Sequence, residues 1–428
     1  MTQVFERGTE AVEQPVLSVE ERKRVIALIE RVRACQLPSA AVDPARTTEA
    51  NEALRAAVDL LRPFTATYPS LERCLHDMDG WLAAGLETVP DMQQLVAQGL
   101  ALAPEGVDDI MLTVTTTLNY SEYPTLEFVL FRRFEGPPAA ALRAMYHCTY
   151  LIIAYLVEAT AGFGMESNCI VCFTECIAGG GDAPDVLDLF FTSKNALRGK
   201  VILQPLMDAI LTRDTFTELR GATLDELRLV VPCKTVTHEW SHRQGVIPLT
   251  EYRELFNNPI GAGLEEARVE LNGARILYTH AEQGGPHARI YDMAAQFIIG
   301  DRLLRYPFAA HPSTNADAVS GQYFLGQFID KGLLTCNAGG VMLAGRAQMI
   351  EGLTRIMAEI QQTQYQALMS SSPEAHRTVR EHVARYSRAL DENDTMQKSL
   401  FYKWMEHKLR GRIPAAMDWK AAIEEYGE

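Results

Sequence analysis

The sequence predicts an α+β protein, predominantly α-helical, with one small mixed or antiparallel sheet. Three observations carry that expectation. Apolar residues recur at helical spacing from about residue 18 to 103, and again from Ala196 almost to the end. Between these stretches lie four short runs suited to strands, the first of them dense in β-branched residues. The 428 residues are 47% hydrophobic and 22% charged, which suits a folded chain with two or three packed lobes.

Each element has a local reason. Residues 1–17 read as a loose, polar arm. Ser18 followed by Glu21 forms a capping box, after which Val25, Ile26, Ile29 and Val32 mark one helical face. The helical pattern is broken at Leu37-Pro38 and Tyr68-Pro69, and residues 18–105 read as an N-terminal helical lobe. The run from Met111 to Tyr120 reads as a strand, Ser121 to Pro124 as a turn, and Leu126 to Phe134 as the returning strand. A helix is expected from about Pro138 to Ala161, taking in the apolar stretch Tyr150 to Val157. Cys169 to Ile177, ending at Gly179-Gly180-Gly181, and Val186 to Thr192 are the last two strand-like runs. Residues 106–345 are expected to form a core that joins this sheet to the helices carrying the chemical motifs. Residues 346–428 form a C-terminal helical segment, whose stretch from Pro373 to Lys408 has heptad-like apolar spacing. No internal repeat is visible.

Composition excludes several roles. There are 40 Lys plus Arg against 55 Asp plus Glu, a formal net charge of −15, which repels phosphate backbones and argues against nucleic-acid binding. No apolar stretch approaches the roughly 20 residues of a membrane span. The first residues lack the apolar core of a secretory signal. Eight cysteines in so long a chain suggest reduced thiols and a cytoplasmic location.

The chemistry is concentrated in Thr235-Val-Thr-His-Glu-Trp-Ser-His242. His238 and His242, four apart, share one helix face and can reach a single zinc ion at about 2.0–2.1 Å. Glu239 stands about 100° around the helix, where it can serve as general base without being a ligand. The plain rival is a pair of satisfied histidines on a buried helix. A catalytic zinc site also needs a third protein ligand and an open fourth position. Downstream lies Gly263-Leu-Glu-Glu-Ala-Arg-Val-Glu270, within a helix expected over Leu264 to Tyr278 after the Asn257-Asn-Pro259 turn. Glu266, 24 positions beyond His242, is the candidate third ligand. Glu270, one turn further on that face, can accept the free N–H of a liganding histidine. Glu265 is the weaker rival ligand, because it points about 100° away from Glu266.

The segment from Thr235 to Glu270 resembles the active-site helices of gluzincin zinc metallopeptidases. Its Glu-Glu-x-Arg-x-Glu wording is most similar to dipeptidyl-peptidase III. This chain departs from that family in having one residue fewer between the motif histidines and a shorter gap to the glutamate helix. The resemblance implies a gluzincin-like core, with His238, His242 and Glu266 holding Zn2+, Glu239 as catalytic base and Glu270 orienting a histidine. It also implies a hydrolase of peptide (amide) bonds, with the cleft between lobes and the sheet beside the motif helix. The alternative is a non-peptidase zinc or iron enzyme acting on a small amide, ester or amino-acid derivative.

A group that steadies the oxyanion is also needed. Tyr323 and His311 are the preferred candidates, with His280, His287 and Tyr291 behind them. Cys169, Cys172 and Cys176 read as buried thiols rather than a second metal site. Arg268 and Arg275 are read either as binders of a substrate carboxylate or as partners of Glu265 and Glu270.

Overall fold

The computed structural model describes residues 15–97, 104–115, 125–160, 171–173, 188–246, 255, 258–387 and 395–426. Most of the arm, the expected turn at Ser121 to Pro124, Asn257, and Cys169 and Cys176 with the following glycines lie outside them. The chain divides into two compact units.

The first unit comprises Met1–Phe134 and Ala154–Leu189. Helix α1 (Val19–Arg33) begins at the expected capping box: Ser18 Oγ accepts the Glu21 N–H, and the Glu21 carboxylate accepts the Ser18 N–H. Its buried face, Val25, Ile29 and Val32, packs on α2 (Thr47–Leu61), which in turn packs on α3 (Leu71–Ala83); α4 (Gln93–Ala97) follows. A five-stranded sheet runs in the order β1-β2-β3-β5-β4, from β1 (Asp108–Thr115), β2 (Thr125–Arg133), β3 (Leu151–Ala159), β4 (Val171–Phe173) and β5 (Asp188–Phe191). β1 pairs antiparallel with β2 from Asp108↔Arg132 to Thr115↔Thr125, and β2 antiparallel with β3 across a bulge at Leu130/Phe131.

The middle strand corrects the sequence reading. The helix expected from Pro138 to Ala161 stops early: α5 spans Pro137–Tyr146, and His147 turns left-handed at φ 55°. The chain then enters β3, where Ile152, Ile153 and Leu156 are buried. An apolar run with both faces buried has no period to separate strand from helix, and here the β-branched residues decided for strand.

The second unit comprises Glu135–Ile153 and Phe190–Glu428 and holds both motifs. After α5 come α6 (Thr192–Arg198), α7 (Gln204–Ile210), α8 (Thr217–Arg220), α9 (Leu224–His242), α10 (Pro259–Gln283), α11 (Ala288–Gly300), α12 (Tyr306–Ala309) and α13 (Ala316–Asp330). The chain ends with α14 (Arg346–Leu368), α15 (Ser372–Ser387), α16 (Leu400–Leu409) and α17 (Trp419–Tyr426). Two π-helical turns, Gly199–Leu203 and Asp301–Arg305, interrupt the helices. A hairpin that the sequence reading missed, β6 (Leu334–Asn337) with β7 (Gly340–Leu343), precedes α14. Its strands are four residues each, too short for alternation to register.

Helix α10 is the centre of this unit, packed against α9, α11, α13, α14 and α15. Pro259 opens it, and the Asn258 side chain accepts from the N–H groups of Ile260 and Gly261. Gly263 is required by close packing: a Cβ there would stand 2.5 Å from Val319 Cγ1 of α13. No helix among the described residues is long and apolar enough to cross a membrane.

Candidate metal centre

Helix α9 starts at a second capping box, Thr223 with Glu226, and buries Leu227, Val230, Val231 and Val236. Its last two turns are polar yet largely buried, so their hydroxyls need partners. Thr235, Thr237 and Ser241 donate back to the carbonyls of Val231, Cys233 and Thr237. Helix α10 then locks on: Asn272 donates to Ser241 Oγ at 3.0 Å, and Arg268 to the Ser241 carbonyl at 2.8 Å. These bonds hold α10 in a fixed register against the His238–His242 face.

That register brings the ligand candidates to one point. The possible ligand atoms of His238, His242 and Glu266 lie within 4.8 Å of one another. The two Nε2 atoms are 3.1 Å apart; the Glu266 oxygens are 3.7 Å from that of His238 and 3.6 Å from that of His242. Donors at about 2.0–2.1 Å around a tetrahedral ion stand about 3.3–3.4 Å apart, so this spacing fits a metal of zinc's size.

The far sides of both rings face carboxylates. His238 Nδ1 is 3.4 Å from Glu270 Oε1, at the edge of hydrogen bonding, and His242 Nδ1 is 3.2 Å from Glu265 Oε1. His242 Nδ1 can donate to Glu265, which leaves its Nε2 as an acceptor, while His238 Nδ1 faces Glu270 without a hydrogen bond. Two ring nitrogens and a carboxylate then face one another, an arrangement that a cation relieves. Without a metal, a proton does so: burial lowers the His242 pKa, but Glu265, Glu266 and Glu239 outweigh it and raise the group to about 9.

Further charges stiffen the centre. Burial pushes Glu265 up, yet Arg268, with Nε 2.7 Å away, and His242 bring it down to about 2. Gln364 of α14 donates at 3.1 Å to Glu265 Oε2, the oxygen that also accepts from Arg268 Nε. Burial likewise raises Glu270, and Lys234 at 3.3 Å with Arg302 at 2.7 Å hold it well below the usual range. Arg302, in the second π-helical turn and fully buried, also lies 3.2 Å from Glu266 Oε2 and 2.5 Å from Asp317. Burial would raise Glu266 too; His238, His242 and Arg302 overcome it, and the group is lowered. Glu239 is the exception. Burial raises it, the two histidines only partly oppose this, and its Oε1 stands 3.6 Å from His238 Nε2. A buried carboxylate with a raised pKa, beside but outside the ligand trio, suits proton transfer.

The other sequence candidates are engaged elsewhere. Tyr323 is buried in α13, its hydroxyl 2.7 Å from both His382 Nε2 and Gln327 Nε2. His311 is exposed and bonds Ser313 Oγ at 2.7 Å. His280 bonds the Tyr146 hydroxyl at 2.8 Å, and Tyr291 donates to the Pro138 carbonyl. None of these hydrogen bonds reaches the ligand trio. Arg268 is an internal partner of Glu265. The orienting position of Glu265 was missed by the sequence reading, although the 100° offset that spoke against it as ligand is what aims it at the far side of His242. Arg302 carried no signal, being 36 residues beyond Glu266 and brought in by a π-helical turn.

No protein-family model matches the chain, and no curated protein matches it in sequence. Its fold is similar to the solved structure of DPP III from Caldithrix abyssi, with a TM-score of 0.63 and 13% identity over 96% of this chain and 80% of that one. It is also similar to dipeptidyl-peptidase III from Corallococcus sp. strain EGB, with a TM-score of 0.55 and 12% identity over 96% and 79%. At these identities the likeness concerns the fold.

Proposed function

We propose that the chain is a zinc-dependent hydrolase of amide bonds, acting on peptides. One observation carries the reading: ligand atoms of His238, His242 and Glu266 converge on a point, with a carboxylate behind each ring, Glu265 hydrogen-bonded to His242 Nδ1 and Glu270 3.4 Å from His238 Nδ1. His238, His242 and Glu266 would hold the ion, a fit supported by their spacing and by the fold likeness to dipeptidyl-peptidase III. Zinc bound there would polarise the scissile carbonyl and lower the pKa of water. Glu239 takes the proton from the attacking water and returns it to the leaving amine, a role suited to its raised pKa. Glu266 is the quarter-exposed member of the trio, so substrate approaches from its side.

Two measurements test this. Elemental analysis of protein purified without added metal should find zinc in the wild type and little in His238→Ala or Glu266→Ala; iron instead of zinc would overturn the assignment. Glu239→Gln should keep its zinc and lose peptide turnover by roughly 10²–10⁴-fold. Undiminished hydrolysis by that variant would remove Glu239 from the mechanism.

A further inference from the structure

Beside the centre, the last turns of α9 carry a ledge that the hydrolytic chemistry leaves unused. Trp240 follows Glu239 in that helix, and Arg243, the residue that caps its C-terminal end, stands four positions, about one turn, beyond Glu239. Both are covered by the end of α5 and the short segment that leaves it. Tyr146, the last residue of α5, lies on Trp240 with ring centroids 4.5 Å apart, and beyond the left-handed turn at His147 Tyr150 lies on Arg243, with Cζ 3.3 Å from the ring centre. The Tyr150 hydroxyl is tied back to Cys148 Sγ at 3.8 Å.

Stacking fixes the guanidinium plane and covers one face, while leaving the N–H groups at its edge free to donate. Among the described residues Arg243 has no carboxylate partner. The same is true of Arg275, which bonds only Asn272 Oδ1 at 2.9 Å and whose charge acts on Tyr146. Two half-buried arginines without acidic partners are conspicuous in a chain of net charge −15. By contrast Arg268, Arg302 and Arg305 are each paired with carboxylates.

We propose that Arg243, held flat on Tyr150 one helical turn from Glu239, binds a carboxylate of the substrate, and that the enzyme therefore prefers amides bearing a free carboxylate close to the scissile bond. The inference deepens the hydrolase reading and rests on it. A planar fork against a carboxylate gives two parallel charge-assisted bonds, enough for a preference of tenfold or more.

The test uses the zinc-loaded full chain and pairs of short peptides identical except for a free or an amidated C-terminus. The wild type is expected to favour the free acid at least tenfold in kcat/KM, mostly through KM. In Arg243→Met this ratio should fall to about one, and Arg243→Lys, which keeps the charge but not the fork, should recover part of it. A wild-type ratio near one, or an unchanged ratio in Arg243→Met, overturns the inference and leaves the hydrolase reading intact. If neither peptide is cleaved, that reading fails, and calorimetric titration with glutarate decides for Arg243 alone. Weaker glutarate binding by Arg243→Met than by wild type would support the role, and equal binding would overturn it.

Discussion

At the scale of single residues, the centre depends on which nitrogen of each histidine carries the proton. Glu265 makes that choice for His242 from behind, Glu270 stands 3.4 Å behind His238, and both are kept ionised by buried cations. Glu270→Gln should therefore weaken zinc binding by roughly 10–100-fold, as expected when a ligand loses the partner that orients it. Competition against a chelator of known affinity measures this, and unchanged affinity would deny Glu270 its role. The helix spacing of His238, Glu239 and His242 was legible in the sequence because four residues make one turn. The double role of the adjacent glutamates was only half legible. Glu266 and Glu270 follow from their shared face, whereas Glu265 acquires its partner from the way a second helix lies across the first.

At the scale of elements, two junctions can be tested. Helix α10 approaches α13 through Gly263, and Gly263→Ala would drive a Cβ into Val319. Overpacking of this kind costs about 1–3 kcal/mol. We expect a lower Tm and, because the same turn carries Glu265 and Glu266, weaker zinc binding. Val319→Ala in the same chain should restore little, because Val319 Cβ at 2.6 Å and the Ala316 carbonyl oxygen at 2.9 Å remain in the way; an unchanged Tm in Gly263→Ala would show that the two helices can part without cost. The second junction joins α13, α14 and α15 at His382. Gln327 donates to the Tyr323 hydroxyl, which donates to His382 Nε2, so Nδ1–H donates to Thr363 and the ring is neutral. Burial, helped by Arg385, lowers its pKa to about 4. The unfolded chain takes up this proton near pH 6.5 and the folded one does not. Its stabilising contribution is complete above pH 6.5 and is lost as the pH falls to about 4, on the order of 2–3 kcal/mol. Urea midpoints between pH 7 and 4.5 should fall less steeply for His382→Gln than for wild type; parallel curves would show that His382 is protonated in the native state.

For the molecule as a whole, a bound ion would couple α9 and α10, and through α10 most of the second unit. A ligand held only by the folded state adds about 2.7 kcal/mol at a hundred times its Kd. Calorimetric scans with and without chelator should therefore differ in Tm by several degrees, and His238→Ala should show no such difference. An equal response in that variant would place the metal elsewhere.

Periodicity alone gave the helical character, the capping box at Ser18 could be read from neighbouring residues, and the spacing of His238, Glu239, His242 and Glu266 foretold their meeting. The helical character, the capping box and the His238–Glu239–His242 face are local patterns, set by helix geometry within a few turns, whereas Glu266 joins them through the packing of α10 on α9. The identity of β3, the hairpin before α14, the orienting role of Glu265, the arrival of Arg302 beside the centre and the packing of Tyr150 on Arg243 were decided only by tertiary structure. Each depends on what packs against a residue from far away in sequence, and neither a fully buried strand nor a buried ion pair leaves a periodic trace.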